Sequence, residues 1–463
     1  MKQTFKCCQE PSLLTLVLTI LLCTVPSAKG CSQVYHYTET GLPVCYIETD
    51  DSLAVITKEE YIPAVLRIEQ DGNTLLDSRD ISIRLRGNST IWYEKKPYKV
   101  KFSKKTAPFP GMSKDKSFAL LANYTDKSLM RAAVGFKIGE LLESGWTPRS
   151  QYVELVLNGE FLGNYQFTEN VKKAPGRVDI SDTGFLIEYE YSRSSSQHYF
   201  TTIVNNYIFS PKYPEEEDMI DSLFLYAEKF MNEFGNRLYL QGFREGRKYA
   251  ELIDEDSFAK WYYQKNLLQM DECNRYYAKY DNTDNSRLFM APLWDFEWCL
   301  GVGPDVKGER PSNNHYFVNK LYFQEICSDS LFMKKVSEVH RQYGERIRST
   351  VIAFYNQLKD SLALSQQENF KRWPILDKPV YWAYVPLGSW EAEVECDLQF
   401  FLNHYEWLEQ QLEKYISGVT EPSHGPFQAD NVYLLTGQRV GKIPHGPSRP
   451  SIYIQDGRKR VVR

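Results

Sequence analysis

Apolar and polar residues alternate along the first half of the chain, and this pattern predicts a strand-rich region between about residues 42 and 210. Alternation in the second half of segment 81–86 places Arg84 and Arg86 on one face of a strand. Asn158-Gly159, between two apolar runs, indicates a β-hairpin turn. Together these patterns predict strands at 42–47, 53–57, 65–69, 81–86, 98–102, 117–121, 152–157, 162–168, 184–190 and 201–210.

Beyond residue 215 the apolar spacing becomes helical. The pattern predicts helices at 215–235, 256–270, 331–358 and 390–416, in addition to an earlier one from Thr125 or Asp126 to about 143. Two strands at 275–280 and 288–293 interrupt the helices, and a Pro/Gly-rich tail carries short strands at 432–435 and 451–454. The predicted class is therefore α+β, with a strand-rich N-terminal half, a helical C-terminal half and a small β-hairpin appendage.

The first thirty residues have the features of a signal peptide. Lys2 and Lys6 precede an apolar run at 13–22, and small residues stand before a cleavage point at Cys31. Ten apolar residues are too few to span a bilayer. We therefore expect a signal peptide at 1–30, a main domain at 31–420 and the appendage at 421–463. The protein would be exported to the periplasm, the cell surface or the medium, and a lipid on Cys31 is the route by which it would attach to a membrane.

Composition excludes several classes of function. The 463 residues carry a net charge of −5 without a long basic run, which argues against nucleic acid as a partner. No CxxC pair outside the signal segment supports a zinc site. Cys273 and Cys299 lie in one stretch, where they either form a disulfide or pack as small apolar side chains. Motifs of metalloproteases, serine hydrolases and dinucleotide-binding proteins are absent from the sequence.

Charged residues of two kinds remain as candidates for chemistry. On an extended segment, Asp295 and Glu297 would share one face and the intervening aromatic residues the other, which suits a hard divalent cation. Basic residues on the early strands and carboxylates near the later strand ends are the mixture that phosphoryl transfer from a nucleotide requires. A salt-bridged sheet surface is the commoner origin of such a pattern. The residues concerned are Arg84, Arg86, Lys99, Lys101, Asp271, Asp295 and Glu297, with Glu169 and Glu188 as strand-end acids between them.

Five stretches of the sequence resemble the CotH kinase family, the spore coat protein H type of atypical kinase. They are 83–90 (IRLRGNST), 95–102 (KKPYKVKF), 120–127 followed by Arg131, 153–163 with Thr168-Glu169, and 294–297 (WDFE), in the order found in that family. The resemblance covers about residues 42–301, with the helices to about 416 as a plausible continuation. It implies an exported bacterial member with a two-lobed kinase-like fold that binds ATP with Mg²⁺ or Mn²⁺ and phosphorylates a protein hydroxyl.

The same resemblance implies individual roles. Asp295 matches the metal-binding Asp, Glu297 stands beside it at a second metal-binding position, and Asp271 matches an acid with a catalytic or second metal-site role. Lys99 or Lys101 would contact phosphate, assisted by Arg84 and Arg86, and Glu169 would orient the lysine. Glu297 replaces the Asp or Asn usual in the family, and Gln269 replaces an Asn. Together with export, these departures raise an alternative: a surface binding or adhesion protein that keeps the fold with little or no catalysis.

Overall fold

The computed structural model describes residues 38–190, 197–241, 246–270, 275–302, 315–380 and 385–416, together with the backbone of three strands near the C-terminus. The predicted signal peptide, Cys31, Asp271, Cys273 and most of the 192–197 connection lie outside these ranges, so the predictions made for them remain predictions. No helix in the described ranges combines the length and the apolar character needed to cross a bilayer.

Seven strands of the N-terminal half form a closed barrel in the order β1-β2-β3-β4-β5-β7-β6. Parallel pairing of β1 with β6, which sets Val44 opposite Glu154, closes the barrel, and the other neighbours are antiparallel. The sequence predicts most of these strands but not the closure. The strands are β1 Val44–Thr49, β2 Ile62–Gln70, β3 Asn73–Leu85, β4 Tyr98–Thr106, β5 Asp115–Leu121, β6 Ser150–Leu157 and β7 Glu160–Glu169.

Alternation along β3 and β4 separates an apolar interior from a basic exterior. Ile83 and Leu85 are buried in the barrel core. Arg84 lies opposite Lys99 in the antiparallel register, so both side chains lie on the outer face. The alternation predicted at 81–86 is confirmed. The strand predicted at 53–57 is wrong, because the segment makes no continuous ladder: the Leu53 carbonyl accepts from Thr49 Oγ1 at 2.7 Å, and only the Thr57 carbonyl accepts from β3, at the Leu85 N–H at 2.9 Å.

A second sheet and the helices build the rest of the protein around one large hydrophobic core. The five-stranded sheet is antiparallel throughout, in the order β12-β11-β8-β10-β9. Its strands are β8 Phe185–Glu190, β9 Phe200–Thr201, β10 Ile208–Tyr213, β11 Tyr276–Lys279 and β12 Leu288–Met290. The helices are α1 Arg131–Leu141, α2 Asp221–Gly235, α3 Glu255–Leu267, α4 Phe323–Ile326, α5 Ser330–Arg372 and α6 Trp390–Ile416.

Several element boundaries differ from the predictions. The single strand predicted at 201–210 is two strands, because Asn206 adopts a left-handed conformation (φ 53°) in the turn between them. Helix α1 begins at Arg131, later than predicted, and the carboxylate of Asp126 accepts the Arg131 backbone N–H at 2.9 Å. Helix α2 also begins later, whereas α5 continues to Arg372 and α6 has the predicted bounds.

Helix α5, 43 residues long, joins the helical part to the barrel. It packs against α1, α3 and α6, and its last turns lie on β7. Asn164 of β7 donates to Ser365 Oγ at 2.8 Å and, through its backbone N–H, to Asn369 Oδ1 at 3.2 Å. Buried Lys95 donates to the same Asn369 oxygen at 2.8 Å. Because the buried Lys95 ammonium finds its hydrogen-bond partners there, we infer that these contacts fix the barrel on the helix end.

The C-terminal segment contains a three-stranded antiparallel sheet, formed by β13 Val432–Leu434, β14 Ser451–Gln455 and β15 Arg458–Val462. The predicted strands at 432–435 and 451–454 correspond to the first two. A third strand extends the predicted hairpin.

Candidate functional site

The chain leaves the second sheet after β12 and forms a turn at 294–297, which we call the acidic turn. Asp295 has φ 60°, the left-handed conformation that Asp and Asn tolerate better than most residues. The predicted extended segment is therefore wrong, and strand alternation does not place Asp295 and Glu297 on one face. The two carboxyls nevertheless interact, since the charge of Asp295 raises the pKa of Glu297.

Aromatic side chains of the acidic turn pack on helix α1. The ring of Phe136 lies 5.7 Å from that of Trp294 and 5.3 Å from that of Phe296, measured between centroids. Gly135 permits this contact, because a Cβ at that position would lie 2.3 Å from the Phe296 ring. The predicted aromatic backing of the carboxylates is confirmed for these two residues. Trp298, predicted to share the same face, is half-buried.

Asp295 is accessible to water, yet its environment disfavours the charged form. Its pKa is raised to about 6, chiefly by burial; Arg86 and Lys212 act in the opposite direction and Glu188 acts in the same direction. Asp295 thus has part of its surface in contact with solvent, while Arg86, Glu188 and Lys212 lie near enough to act on its carboxyl.

Glu297 is less exposed than Asp295. Burial is the main reason that its pKa is raised to about 7, with further increases from Asp295 and Asp126 and a decrease from the Thr125 hydroxyl. The buried Thr125 Oγ1 has no hydrogen bond of ordinary geometry within the described part of the chain, although it is close enough to influence Glu297. Two neighbouring carboxyls with raised pKa values make a site where a bound cation would favour the ionised forms.

Basic residues of the barrel exterior approach the acidic turn through Arg86. The Arg86 guanidinium lies over the Trp294 ring, 5.4 Å from its centroid. The pKa of half-buried Lys99 is lowered to about 8 by burial and then by the charges of Arg84, Arg86 and Lys172. A lysine surrounded by other cations is a ready-made site for an anion, because the anion relieves their mutual repulsion.

Lys101 has a different environment, although it follows Lys99 by two residues on the same strand face. It is exposed, and its Nζ lies 5.4 Å from the ring centroid of Tyr61. Arg84 lies over the same ring, 4.5 Å from its centroid, whereas the charges of Arg84, Arg86 and Lys172 act on Lys99. Of the two lysines that the sequence leaves open, Lys99 is the one that the structure places in the basic group beside the acidic turn.

Glu169 does not join this group. It lies opposite Phe118, whose ring belongs to the barrel core, whereas Lys99 lies opposite Ala119 and therefore on the other face of the sheet. The buried Glu169 carboxylate accepts from Ser113 N at 2.5 Å, Arg149 N at 3.0 Å and Trp146 Nε1 at 3.2 Å. It therefore satisfies loop amides, and the structure does not support the predicted orienting role toward Lys99 or Lys101.

Sequence patterns did not single out several residues at the site. Lys212 of β10 pairs with Glu188 at 2.5 Å, and both influence the pKa of Asp295. Lys212 carries no sequence signal of its own, because its pairing with Glu188 depends on the register of β10 against β8. Buried Asp126 and Arg131, which stand in a stretch shared with the CotH kinase family, also lie beside the acidic turn.

The donor set suits a cation shared with a phosphate better than a cage made only of protein. Within the described ranges, three or more His, Cys, Asp or Glu side chains do not come together in a group that would hold a metal. Magnesium is usually held by one or two carboxylates, with water and substrate phosphates completing its shell. Asp295 and Glu297 fit that requirement, and Asp271 lies outside the described residues.

Asp295 and Glu297 thus lie close to Arg86, which connects them to the basic group around Lys99. The family model of the CotH kinase protein matches residues 83–408, which is most of the chain, and the chain therefore belongs to the CotH kinase family. The matched range includes Arg84, Lys99 and the acidic turn. No curated protein matches the chain significantly.

Proposed function

We propose that this protein is an exported phosphotransferase, which binds ATP with Mg²⁺ or Mn²⁺ and transfers the γ-phosphate to a Ser or Thr hydroxyl of a protein. Membership of the CotH kinase family supports a nucleotide-using, kinase-like activity. The observation that carries the proposal is the approach of the basic group around Lys99 to the carboxylates of Asp295 and Glu297. The charge of Arg86 acts on the pKa of Lys99 and on those of both carboxyls.

Each of these charged groups has a task in this reaction. Lys99, Arg84 and Arg86 would bind the phosphate oxygens. Asp295 and Glu297 would hold the cation, which when bound neutralises charge on the phosphates. We assign the acceptor hydroxyl's proton to Asp271, on the strength of its match to the family and its position after α3. Asp271 lies outside the described residues.

Calorimetry with the full chain tests the proposal directly. We expect ATP to bind when Mg²⁺ is present and to bind much more weakly after chelation with EDTA. Labelled phosphate should then appear on a protein substrate rich in Ser and Thr. Absence of nucleotide binding by the wild type contradicts the proposal. Binding without transfer to any acceptor favours the alternative of a surface binding protein, which Glu297 in place of the family's usual Asp or Asn also favours.

The two lysines of β4 provide a matched pair of variants. Lys99→Met should weaken ATP binding roughly tenfold or more, because it removes a charge-assisted bond to phosphate from the centre of the basic group. Lys101→Met makes the same substitution on the same strand face and should change the affinity less than twofold by this reasoning. The measurement is the Kd for Mg–ATP of both variants. An equal loss in the two variants would show that the strand face acts only through its total charge.

Affinity should depend on pH in two opposite ways. Below pH 7, protons compete with the cation for Asp295 and Glu297, whose pKa values are about 6 and 7, so Mg²⁺-dependent binding should weaken by about tenfold or more between pH 8 and 5. In EDTA, binding should instead strengthen as pH falls from 9 to 7, because Lys99 with its pKa of about 8 gains its charge. Affinity for Mg–ATP that stays constant between pH 8 and 5 would contradict this arrangement.

A further inference from the structure

Arg131, the first residue of α1, connects the acidic turn to helix α6. Its Nε donates to Asp397 Oδ2 at 2.9 Å and its Nη2 to Asp397 Oδ1 at 2.8 Å. Its Nη1 donates to the backbone carbonyl of Glu297 at 3.2 Å. Arg131 and Asp397 are both fully buried. A guanidinium is planar, so the two bonds to Asp397 fix the direction in which Nη1 points.

Asp126 fixes the other end of the arginine. One of its carboxylate oxygens accepts the Arg131 backbone N–H at 2.9 Å, and the other accepts Ser128 N at 3.0 Å and Ser128 Oγ at 2.6 Å. The latter oxygen also lies 3.8 Å from Arg131 Nε. Backbone and side chain of Arg131 are therefore both held, by residues from two separate parts of the sequence.

Burying the charges of Arg131 and Asp126 costs free energy, and a gain in stability does not explain why they are buried. Burial raises the pKa of Asp126 in spite of the neighbouring Arg131, so the carboxylate is more difficult to ionise there than in water. Buried ion pairs of this kind often contribute little to stability compared with apolar side chains of similar size. What the arginine supplies is direction, since an apolar side chain offers no donor to the Glu297 carbonyl.

Helix α1 thus holds the acidic turn at two neighbouring points. Arg131 bonds to the Glu297 carbonyl, and Gly135, one helical turn later on the same face, receives the ring of Phe296. Since Glu297 and Asp295 flank Phe296, both carboxylates depend on this backbone for their position.

We propose that Arg131, clamped by Asp397, is a positioning residue for the cation site: it holds the backbone of Glu297 and thereby sets the two carboxylates of the acidic turn. That these carboxylates hold a cation for phosphoryl transfer rests on the proposed function. It makes α6 part of the site, although α6 supplies none of the groups that would touch nucleotide or cation.

The test uses Asp397→Asn in the full chain, with Asp329→Asn as its matched control. Asp329 is nearly as buried, pairs with Arg247 and accepts from Tyr249 Oη at 2.5 Å at the start of α5. The first readout is hydrogen exchange of the peptide that contains Leu300 and Val302, whose amides donate to Leu268 O at 2.8 Å and to Cys299 O at 3.1 Å. We expect roughly tenfold faster exchange there in Asp397→Asn and no change in Asp329→Asn.

The second readout is the Kd for Mg–ATP, which should rise about tenfold in Asp397→Asn and remain unchanged in the control, as for other residues that orient metal ligands. If Asp397 contributed only to overall stability, Asp397→Asn would lower the melting temperature but change neither the exchange at Leu300 and Val302 nor the Kd for Mg–ATP. Unchanged exchange in Asp397→Asn, or equal acceleration in both variants, overturns the assignment. If the wild type binds no nucleotide, the proposed function fails, and the exchange result alone decides whether Arg131 holds the turn.

Should Asp397→Asn fail to fold, Arg131→Lys provides the same test. Lysine keeps the charge that Asp397 requires, but its single ammonium cannot reproduce the fork that reaches Asp397 and the Glu297 carbonyl together. Faster exchange at Leu300 in this variant supports the proposal, and wild-type exchange overturns it.

Discussion

Asp295→Asn should abolish Mg²⁺-dependent ATP binding and, in metal-free protein, raise the free energy of unfolding. Loss of binding follows because an amide oxygen at residue 295 lacks the negative charge with which a carboxylate offsets the desolvation of magnesium. We expect the affinity for Mg–ATP to fall at least about a hundredfold, the upper range for groups that hold or orient a metal. The two effects have opposite signs, which separates loss of function from damage to the fold.

The gain in stability follows from the environment of the Asp295 carboxyl. Its folded-state pKa, about 6, exceeds the ordinary value of 3.8, so folding disfavours the charged form. This penalty is fully present above pH 6 and is relieved as the pH falls toward 4. Water on the exposed side of Asp295 screens its charge, so the ionised carboxyl lowers the free energy of unfolding by only about 1 kcal/mol. Asn also accepts the left-handed backbone at φ 60°, whereas Ala would be strained there.

Denaturation by urea in EDTA, at pH 7.5 and pH 4.5, measures this difference. The variant should be more stable than the wild type at pH 7.5, and the difference should shrink at pH 4.5. Asp281→Asn serves as control, because hydrogen bonds from Thr283 hold the pKa of Asp281 below its usual value and the sign should reverse. An Asp295→Asn protein that is less stable at pH 7.5 and still binds Mg–ATP would refute the assignment of Asp295.

Gly135→Ala should have the second largest effect, on stability and binding together. A Cβ at residue 135 would lie 2.3 Å from the ring of Phe296, so the ring or α1 has to move. Overpacking of this kind costs about 1–3 kcal/mol. Displacement of Phe296 would also move the carboxylates beside it, and we expect weaker binding of Mg–ATP.

Gly235→Ala, at the end of α2, is the matched control. Its Cβ would lie 3.9 Å from Val204, an ordinary contact. This variant should gain about 0.5–1 kcal/mol from the lower conformational entropy of alanine in the unfolded chain. The comparison requires urea denaturation and calorimetry of both variants. A Gly135→Ala protein with wild-type stability and affinity would show that the acidic turn tolerates a shift of Phe296.

Local patterns predicted those features that depend on local physics. Asn158 and Gly159 both have positive φ, 51° and 78°, as the two-residue turn between β6 and β7 requires. The alternation around Arg84 was also reliable, since the barrel core accepts only the apolar face. The family resemblance, carried by five stretches, placed the acidic turn among the candidate residues and is confirmed by the family match.

Features that depend on contacts distant in sequence could not be predicted. Closure of the barrel pairs Val44 with Glu154, and neither segment carries a local signal of the other. Lys99 is singled out by Arg86 and Lys172, whose charges act on it although both are distant from it in the sequence. Arg131 and Asp397 are 266 residues apart in the sequence, so their pairing is visible only in the fold.

Helix α5 has a consequence for motion. Its middle packs on α1 and α6, close to the acidic turn, while Ser365 and Asn369 near its end bond to the barrel that carries Lys99. A continuous helix bends little over this distance. Any swing of the barrel away from the carboxylates therefore has to break the hydrogen bonds of Asn164 and Lys95 at the helix end. We therefore expect helix α5 to limit any change in the distance between Lys99 and the acidic turn, so that under the proposed function nucleotide binds with little domain closure.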